Sequence, residues 1–248
     1  MILTNKNILV LEGGHNEEHE VSLSTAIEVK KAILELNYNL QSIEVDPRNF
    51  HEKINKFKID ICFNALHGPF GEDGKVQQIL FNNKIKFSHS GVKTSTIAFN
   101  KHLTKKAIDK TGIDYPKSIL FNKSKLNEKT FNYTLKQLGP FVLKPVSSGS
   151  SYGVQLIKSK ENIELFFENI LDQKELYKNH NNLMVEPFIE GRELTVAVVD
   201  ESRKSKAIEV TEIISDNLFF DYEAKYSKGF SKHIFPANIP EHIYQQCL

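Results

Sequence analysis

The first 90 residues alternate between short, mostly apolar runs and segments in which apolar residues recur at helical spacing. The runs 8–11, 43–45 and 59–66 predict buried strands. Ser22 is a good N-cap for the helix between the first two strands, whose apolar positions are Leu23, Ala26, Val29, Ile33 and Leu36. Strands that alternate with helices predict a parallel sheet with helices packed on its faces.

Glycine-rich turns follow the first and third of these strands. Gly13 and Gly14 come directly after the first strand, and residues 67–74 after the third contain three glycines. Ligands of open parallel sheets lie beyond the carboxyl ends of the strands. We therefore expect both turns at a binding site.

After Gly91 the pattern changes to short strands and polar connections. Two predicted strands, 141–146 and 154–157, bracket the small-residue loop 147–153, which indicates a hairpin-like lid and not a strand-to-helix phosphate loop. The remaining predicted elements are a helix at 101–110, a strand at 118–121, a helix at 160–171, a polar linker at 177–182 and strands at 183–189, 194–199 and 207–213. The pattern predicts domain boundaries near residues 95 and 183.

Composition narrows the function classes. The chain has 248 residues, 25% of them charged, with a formal net charge of +1. Such balance gives no field that would hold nucleic acid. Two distant cysteines, Cys62 and Cys247, fit a reducing compartment and no disulfide framework. No apolar run is long enough to cross a bilayer, so we expect no membrane partner and a cytoplasmic location. A solvated helix face explains most of the basic cluster formed by Lys101, Lys105, Lys106 and Lys110.

The small-residue loop 147–153 carries the first candidate chemistry. Its amides and hydroxyls could donate to phosphate oxygens, and Lys144 at the end of the incoming strand could add a positive charge. An ordinary flexible hairpin with a surface lysine explains the same residues equally well. Glu186 and Glu193 open successive strand-like segments and could accept from adenine and ribose, although solvated strand-edge glutamates are the simpler explanation of either one alone.

Three further segments carry polar residues that have either a structural or a substrate-binding interpretation. Glu17, Glu18 and Glu20 precede a predicted helix, where they could stabilise its N-terminus or hold a cationic substrate group. His67 ends a strand and could bond a substrate or a backbone carbonyl. The segment 220–226 mixes charges and aromatics, as surface loops and cleft-covering loops both do.

The joint order of these segments resembles the D-alanine–D-alanine ligases, which are ATP-grasp enzymes. The resemblance runs along nearly the whole chain and rests on Gly13-Gly14 with 18–22, 65–68 with 71–74, Lys101, 142–145 with 149–153, Glu186 with 191–196, and 221–226. It implies an α/β fold with an N-terminal parallel-sheet, Rossmann-like domain (1–95), a central α+β lid domain (96–182) and an incomplete C-terminal α+β domain (183–248).

The resemblance also implies the reaction and the roles of individual residues. Two D-alanines are joined at the expense of ATP through an acyl phosphate. Glu18 holds the ammonium of the first D-alanine and forms a catalytic hydrogen-bonded set with Ser150 and Tyr226, while His67 lies near the same substrate. A tyrosine at 226 favours an amine as the second nucleophile. The implied ATP-binding residues are Lys101, Lys144, Ser150, Ser151, Glu186, Phe188, Ile189, Glu193 and Lys225.

The sequence departs from the family pattern at Asn16, His89 and Asn100, where serine, glycine and aspartate are usual. The family's arginine, its Mg²⁺ ligands and its closing glycine-rich turn do not occur before Leu248. We therefore expect a C-terminally truncated chain that has no metal site of its own and does not turn over. The alternatives are a non-catalytic nucleotide-binding remnant and an ATP-grasp ligase of different substrate. A homodimer is a family expectation only.

Overall fold

The computed structural model describes residues 6–201, 204–215 and 231–248. The predicted site residues Lys225 and Tyr226 lie outside the described residues. Elements below are numbered in chain order within that part of the chain.

The N-terminal sheet is parallel, as the strand–helix alternation predicts. Its strands are β1 (Asn7–Glu12), β2 (Asn39–Glu44), β3 (Ile61–Asn64) and β4 (Lys86–Phe87), in the order β2-β1-β3-β4. The helices of this part are α1 (His19–Glu35), α2 (Phe50–Lys53), α3 (Lys75–Asn82) and α4 (Val92–Phe99). Both β4, of two residues, and α4 were not predicted, because neither carries a long apolar pattern.

The central strand β1 is buried on both faces, as parallel strands usually are. Side chains alternate across it, so that Leu9 and Leu11 pack in one apolar cluster while Ile8 and Val10 pack in another. Cys62 of β3 lies fully buried in the first cluster. Burial raises the pKa of its thiol to about 12.

The first helix begins earlier than the sequence predicts. Glu18 is its N-cap residue, and the amide of Ser22 donates to the carbonyl of Glu18 at 3.0 Å in a helical bond. Ser22 is therefore inside the helix, and the prediction that it caps the helix is wrong. Its hydroxyl, fully buried, donates to the Ala65 carbonyl at 2.8 Å and fastens α1 to the end of β3.

The central part contains an antiparallel sheet and several helices. It contains α5 (Lys101–Ile108), β5 (Ile119–Asn122), α6 (Glu128–Leu138), β6 (Phe141–Pro145), β7 (Gln155–Ile157), α7 (Lys160–Glu168), α8 (Ile170–Leu176) and β8 (Asn182–Pro187). The strand order is β5-β8-β6-β7. Because β6 and β7 pair antiparallel around the loop 147–153, the predicted hairpin is confirmed.

Tyr177 departs from its prediction as part of a polar linker. It is 1% exposed, and its hydroxyl donates to the Gly153 carbonyl at 2.7 Å. It packs in one core with Phe131, Phe141 and Phe166. A lone aromatic residue in a polar segment gives no periodic signal, so only the fold reveals this contact. Tyr177 thereby anchors the end of the small-residue loop.

A three-stranded antiparallel sheet follows, in the order β11-β10-β9. Its strands are β9 (Glu193–Glu201), β10 (Lys204–Ser215) and β11 (Ser231–Ile234), and helix α9 (Glu241–Cys247) comes last. Val198 and Ile208 of this sheet are exposed. Strand β8 lies past the predicted boundary near 183 and pairs with β5 and β6; the domain boundaries remain predictions.

Within 6–201, 204–215 and 231–248, the helices are all too short or too polar to span a bilayer.

The Tyr177 hydroxyl should stabilise the fold measurably. Tyr177→Phe leaves the buried Gly153 carbonyl without its donor, which costs about 1–3 kcal/mol. We expect a lower urea midpoint at unchanged slope, followed by circular dichroism at 222 nm. Tyr133→Phe removes a hydroxyl from a side chain that is 66% exposed, and serves as the matched control. Equal midpoints for the two variants would contradict this role.

Candidate active site

The turn after β1 and the turn after β3 are tied together by one side chain. Asn16 accepts from the amide of Glu18 at 2.8 Å through Oδ1. Its Nδ2 donates to the carbonyls of His67 at 3.0 Å and Pro69 at 3.1 Å. A serine hydroxyl has one proton and could not donate to both carbonyls. The departure from serine at this position therefore adds a bridge between the two loops.

Glu18 lies where three loops meet, with only 4% of its surface exposed. The hydroxyl of Ser150, from the β6–β7 loop, donates to Glu18 Oε1. A Cβ atom at Gly149 would lie 2.7 Å from Oε2, and one at Gly68 would overlap the same oxygen. Both positions must lack a side chain for the loops to close on the carboxylate. The contact that the resemblance implies between Glu18 and Ser150 is present.

The backbone of the closing loop is strained beside this contact. Ser150 and Ser151 have φ values of 49° and 59°, in the left-handed region that residues with a side chain rarely adopt. Such strain persists only where the surroundings enforce it and is common at ligand-binding loops.

A second carboxylate, Glu72, lies close to Glu18. Burial raises the pKa of Glu72, the Gly68 amide opposes this by donating to Oε2 at 3.0 Å, and the negative charge of Glu18 raises the pKa further. His67 lies beside Glu72, with Nδ1 3.9 Å from Glu72 Oε1 and Nε2 2.9 Å from Thr25 Oγ1. Two neighbouring carboxylates favour a cationic guest, which would relieve their repulsion. The sequence motif contained Glu72, but no role was assigned to it.

Lys101 stands at the start of α5 and is bonded to the lid hairpin. Its ammonium donates to the carbonyls of Ser148 at 2.8 Å and Pro145 at 3.2 Å. Asn100 caps the helix by accepting from the Leu103 amide at 3.0 Å, which an aspartate would do equally well. Asparagine in place of the family's aspartate at position 100 therefore preserves the N-cap of α5.

Lys144 and Glu186 are neighbours on one face of the central sheet. Lys144 Nζ is 2.5 Å from Glu186 Oε2, and Lys105 of α5 contacts the other carboxylate oxygen. Burial would raise the pKa of Glu186, but the hydrogen bonds and charges of the two lysines outweigh it and hold the pKa below its ordinary value. The three side chains form a compact charged group.

Lys105 was missed by the sequence analysis. A solvated helix face does not describe Lys101 and Lys105, which are both half-buried and bonded to the central sheet or its lid hairpin. The spacing of four residues, which puts both lysines on one face of α5, was the available signal. Lys106 between them is exposed.

The other predicted ATP-binding residues follow β8. The amide of Phe188 is occupied, since it donates to the Pro140 carbonyl at 2.8 Å, and Lys158 Nζ lies 4.7 Å from the centre of the Phe188 ring. Ile189 is 66% exposed, and Glu193 is exposed at the start of β9. Within the described residues, the Glu193 carboxylate has no hydrogen bond or ion pair like those of Glu18 and Glu186.

An open cleft of about 630 Å³ lies between the N-terminal and central parts. Its walls include Asn16, Asp73, Asn100, Val146, Ser147 and His180. A larger cavity of about 890 Å³ lies in the central part over Leu126, Phe167 and Ile170, away from every predicted site residue. Among the described residues, no predicted site residue lines the open cleft, although Glu17, next to Glu18, does. We therefore place the candidate site at the Glu18–Ser150 contact and the Lys144–Glu186 pair.

The described residues contain no group of three or more His, Cys, Asp or Glu side chains that could hold a metal ion. The Mg²⁺ that the family resemblance implies therefore has no matching set of ligands in this part of the chain.

Comparison with known proteins identifies the family of this chain. Residues 107–248 match the family described as D-ala D-ala ligase C-terminus. The D-alanine–D-alanine ligase of Zymomonas mobilis is 41% identical over 244 residues, which are 98% of this chain and 72% of that protein.

Solved structures match as well. The Bacillus anthracis D-alanine–D-alanine ligase complexed with ATP superposes with a TM-score of 0.73 at 26% identity, covering 97% of this chain and 73% of that one. The Vibrio cholerae D-alanyl-alanine synthetase A, at 22% identity, has the same fold with a TM-score of 0.78, covering 98% of this chain and 78% of that one. With its family match, sequence relatives and fold in agreement, the chain belongs to the D-alanine–D-alanine ligase family of ATP-dependent ligases.

Proposed function

We propose that this chain carries the D-alanine- and ATP-binding residues of an enzyme that ligates two D-alanines to D-alanyl-D-alanine, a peptidoglycan precursor, with Glu18 as the residue that holds the first substrate. The observation that carries the proposal is the enclosed Glu18 carboxylate, to which Ser150 donates and on which Gly68 and Gly149 close. An ammonium bound there would gain a charge-assisted hydrogen bond in a site shielded from water. Glu72 adds a second negative charge beside it.

The proposed chemistry has two steps. A carboxylate oxygen of the first D-alanine attacks the γ-phosphorus of ATP, the bond to the bridging oxygen breaks, and ADP leaves. The amine of the second D-alanine then attacks the acyl carbonyl, inorganic phosphate leaves, and the amine loses a proton. Tyr226, which lies outside the described residues, supports an amine as this second nucleophile by family resemblance. The chain's own contribution is alignment and the exclusion of water.

ATP is proposed to lie with its phosphates toward the lysines. Lys144, Lys101 and Lys225 would contact phosphate, with the amides and hydroxyls of Ser150 and Ser151 closing over it. Glu186, the backbone of Phe188 and Ile189 would border adenine, and Glu193 would take the ribose. The proximity of Lys144 and Glu186 supports this layout. Since the Phe188 amide is occupied, only its carbonyl would remain for adenine. No residue or step is assigned to Mg²⁺.

A cytoplasmic location and a homodimer are part of the proposal on family resemblance alone.

The ammonium role of Glu18 predicts a selective loss of D-alanine binding. D-alanine binds the native state and should raise the thermal unfolding midpoint of the wild type. Glu18→Gln removes a charged hydrogen bond of about 1.5–3 kcal/mol, so that the affinity falls about 10- to 150-fold and the midpoint no longer responds.

Glu17→Gln and Glu20→Gln change the net charge equally, one and two residues away, and should keep the response. If either control variant loses it while Glu18→Gln retains it, the wrong glutamate has been assigned. L-alanine at the same concentration controls for non-specific stabilisation.

We expect the 248-residue polypeptide not to turn over. Its described residues would offer lysines to the ATP triphosphate, but they contain no cluster of metal ligands. The measurement is phosphate release from ATP with Mg²⁺, with and without D-alanine. The Zymomonas mobilis ligase provides the positive control for the assay. D-alanine-dependent release by this polypeptide would contradict the expectation.

A further inference from the structure

The Glu186 carboxylate has two cationic neighbours that come from different elements. Its side chain is 7% exposed, Lys144 from β6 lies at one oxygen, and Lys105 from α5 lies at the other. Strand register puts Glu186 opposite Val142, so that Lys144, two residues further along β6, shares its face of the sheet. Lys105 reaches the same carboxylate from outside the sheet.

The two lysines are held differently. Lys105 also donates to the Pro116 carbonyl and lies 5.3 Å from the centre of the Tyr115 ring, and its side chain is 14% exposed. For Lys144, which is 22% exposed, Glu186 is the ion-pair partner found within the described residues. Lys105 is therefore held by three contacts. The Lys144 side chain would lose only its contact with Glu186 if it rotated toward a phosphate.

This difference has an electrostatic consequence. If Glu186 had only one lysine, moving that lysine to a phosphate would leave a buried carboxylate uncompensated, at a cost comparable to that of breaking a buried ion pair. With two lysines the group carries a net positive charge. One lysine can then leave while the other still neutralises the carboxylate.

We infer that Lys105 is a positioning residue, a fixed counter-charge that keeps Glu186 neutralised and so releases Lys144 to contact a nucleotide phosphate. The inference rests on the proposed ATP site. Lys105 itself is not required to touch the nucleotide.

The first test compares ligands with and without phosphate. Displacement of a fluorescent ATP analogue by ATP and by adenosine is measured on the full chain at fixed Mg²⁺ concentration. Lys105→Met should weaken ATP binding about tenfold and leave adenosine binding within about twofold, because only Lys144 and the phosphates are affected. Lys106→Met, the same charge change on the adjacent exposed residue, should leave both affinities unchanged. Equal losses for ATP and adenosine would mean a merely structural role and overturn the inference.

A double-mutant cycle tests whether Lys105 acts through Glu186. In a Glu186→Gln background no carboxylate holds Lys144, so that Lys105→Met should have no further effect on ATP affinity. A tenfold loss that persists in this background would mean that Lys105 contacts the phosphate directly, and the inference would be wrong. Lys105→Arg keeps the charge and should restore ATP affinity to within about threefold of the wild type.

Two controls complete the design. Circular dichroism establishes that each variant folds; if Lys105→Met does not, Lys105→Gln, whose amide can still donate to the Pro116 carbonyl, takes its place. Lys144→Met separates this inference from the proposed function. If Lys144→Met leaves ATP affinity unchanged, the proposed ATP site itself fails; if it weakens ATP binding while Lys105→Met does not, only the role of Lys105 fails.

Discussion

Burial of the Glu18 carboxylate is the constraint around which the candidate site is arranged. A carboxylate removed from water is costly unless hydrogen bonds or charges compensate it. Here the Ser150 hydroxyl donates to it, and two glycines allow the loops 67–74 and 147–153 to approach it closely. The same contacts join the N-terminal parallel sheet to the lid hairpin of the central sheet. A residue that suits a substrate ammonium thus also holds together the two parts between which the substrate would lie.

The supporting contacts are distributed over both parts. On the N-terminal side, Asn16 ties the β1–α1 turn to the β3–α3 turn. On the central side, Tyr177 anchors Gly153 at one end of the small-residue loop, and Lys101 bonds the carbonyls of Pro145 and Ser148 at the other. With both ends fixed, the strained residues Ser150 and Ser151 are held against Glu18. Catalysis by alignment depends on such rigid placement.

The carboxylates of Glu186 and Glu72 have neighbours of opposite charge. Glu186 is neutralised by lysines, which lower its pKa, whereas Glu72 has its pKa raised by burial and by the neighbouring Glu18. The first arrangement leaves a surplus of positive charge, which suits phosphate. The second leaves negative charge, which suits an ammonium. The two groups therefore favour ligands of opposite charge, as the binding of both an amino acid and a nucleotide requires.

Sequence by itself determined the parallel sheet and the lid hairpin, because these follow from local apolar periodicity. The roles of Glu18, Ser150, Lys144 and Glu186 came from resemblance to a family and remain predictions. Sequence did not determine where α1 begins, why Tyr177 is buried, or that Lys105 belongs to the site. Each of these depends on a partner distant in sequence: Ala65 for Ser22, Gly153 for Tyr177, Glu186 for Lys105. Tertiary structure decided them, since a polar or aromatic side chain carries no local sign of the distant group that will satisfy it.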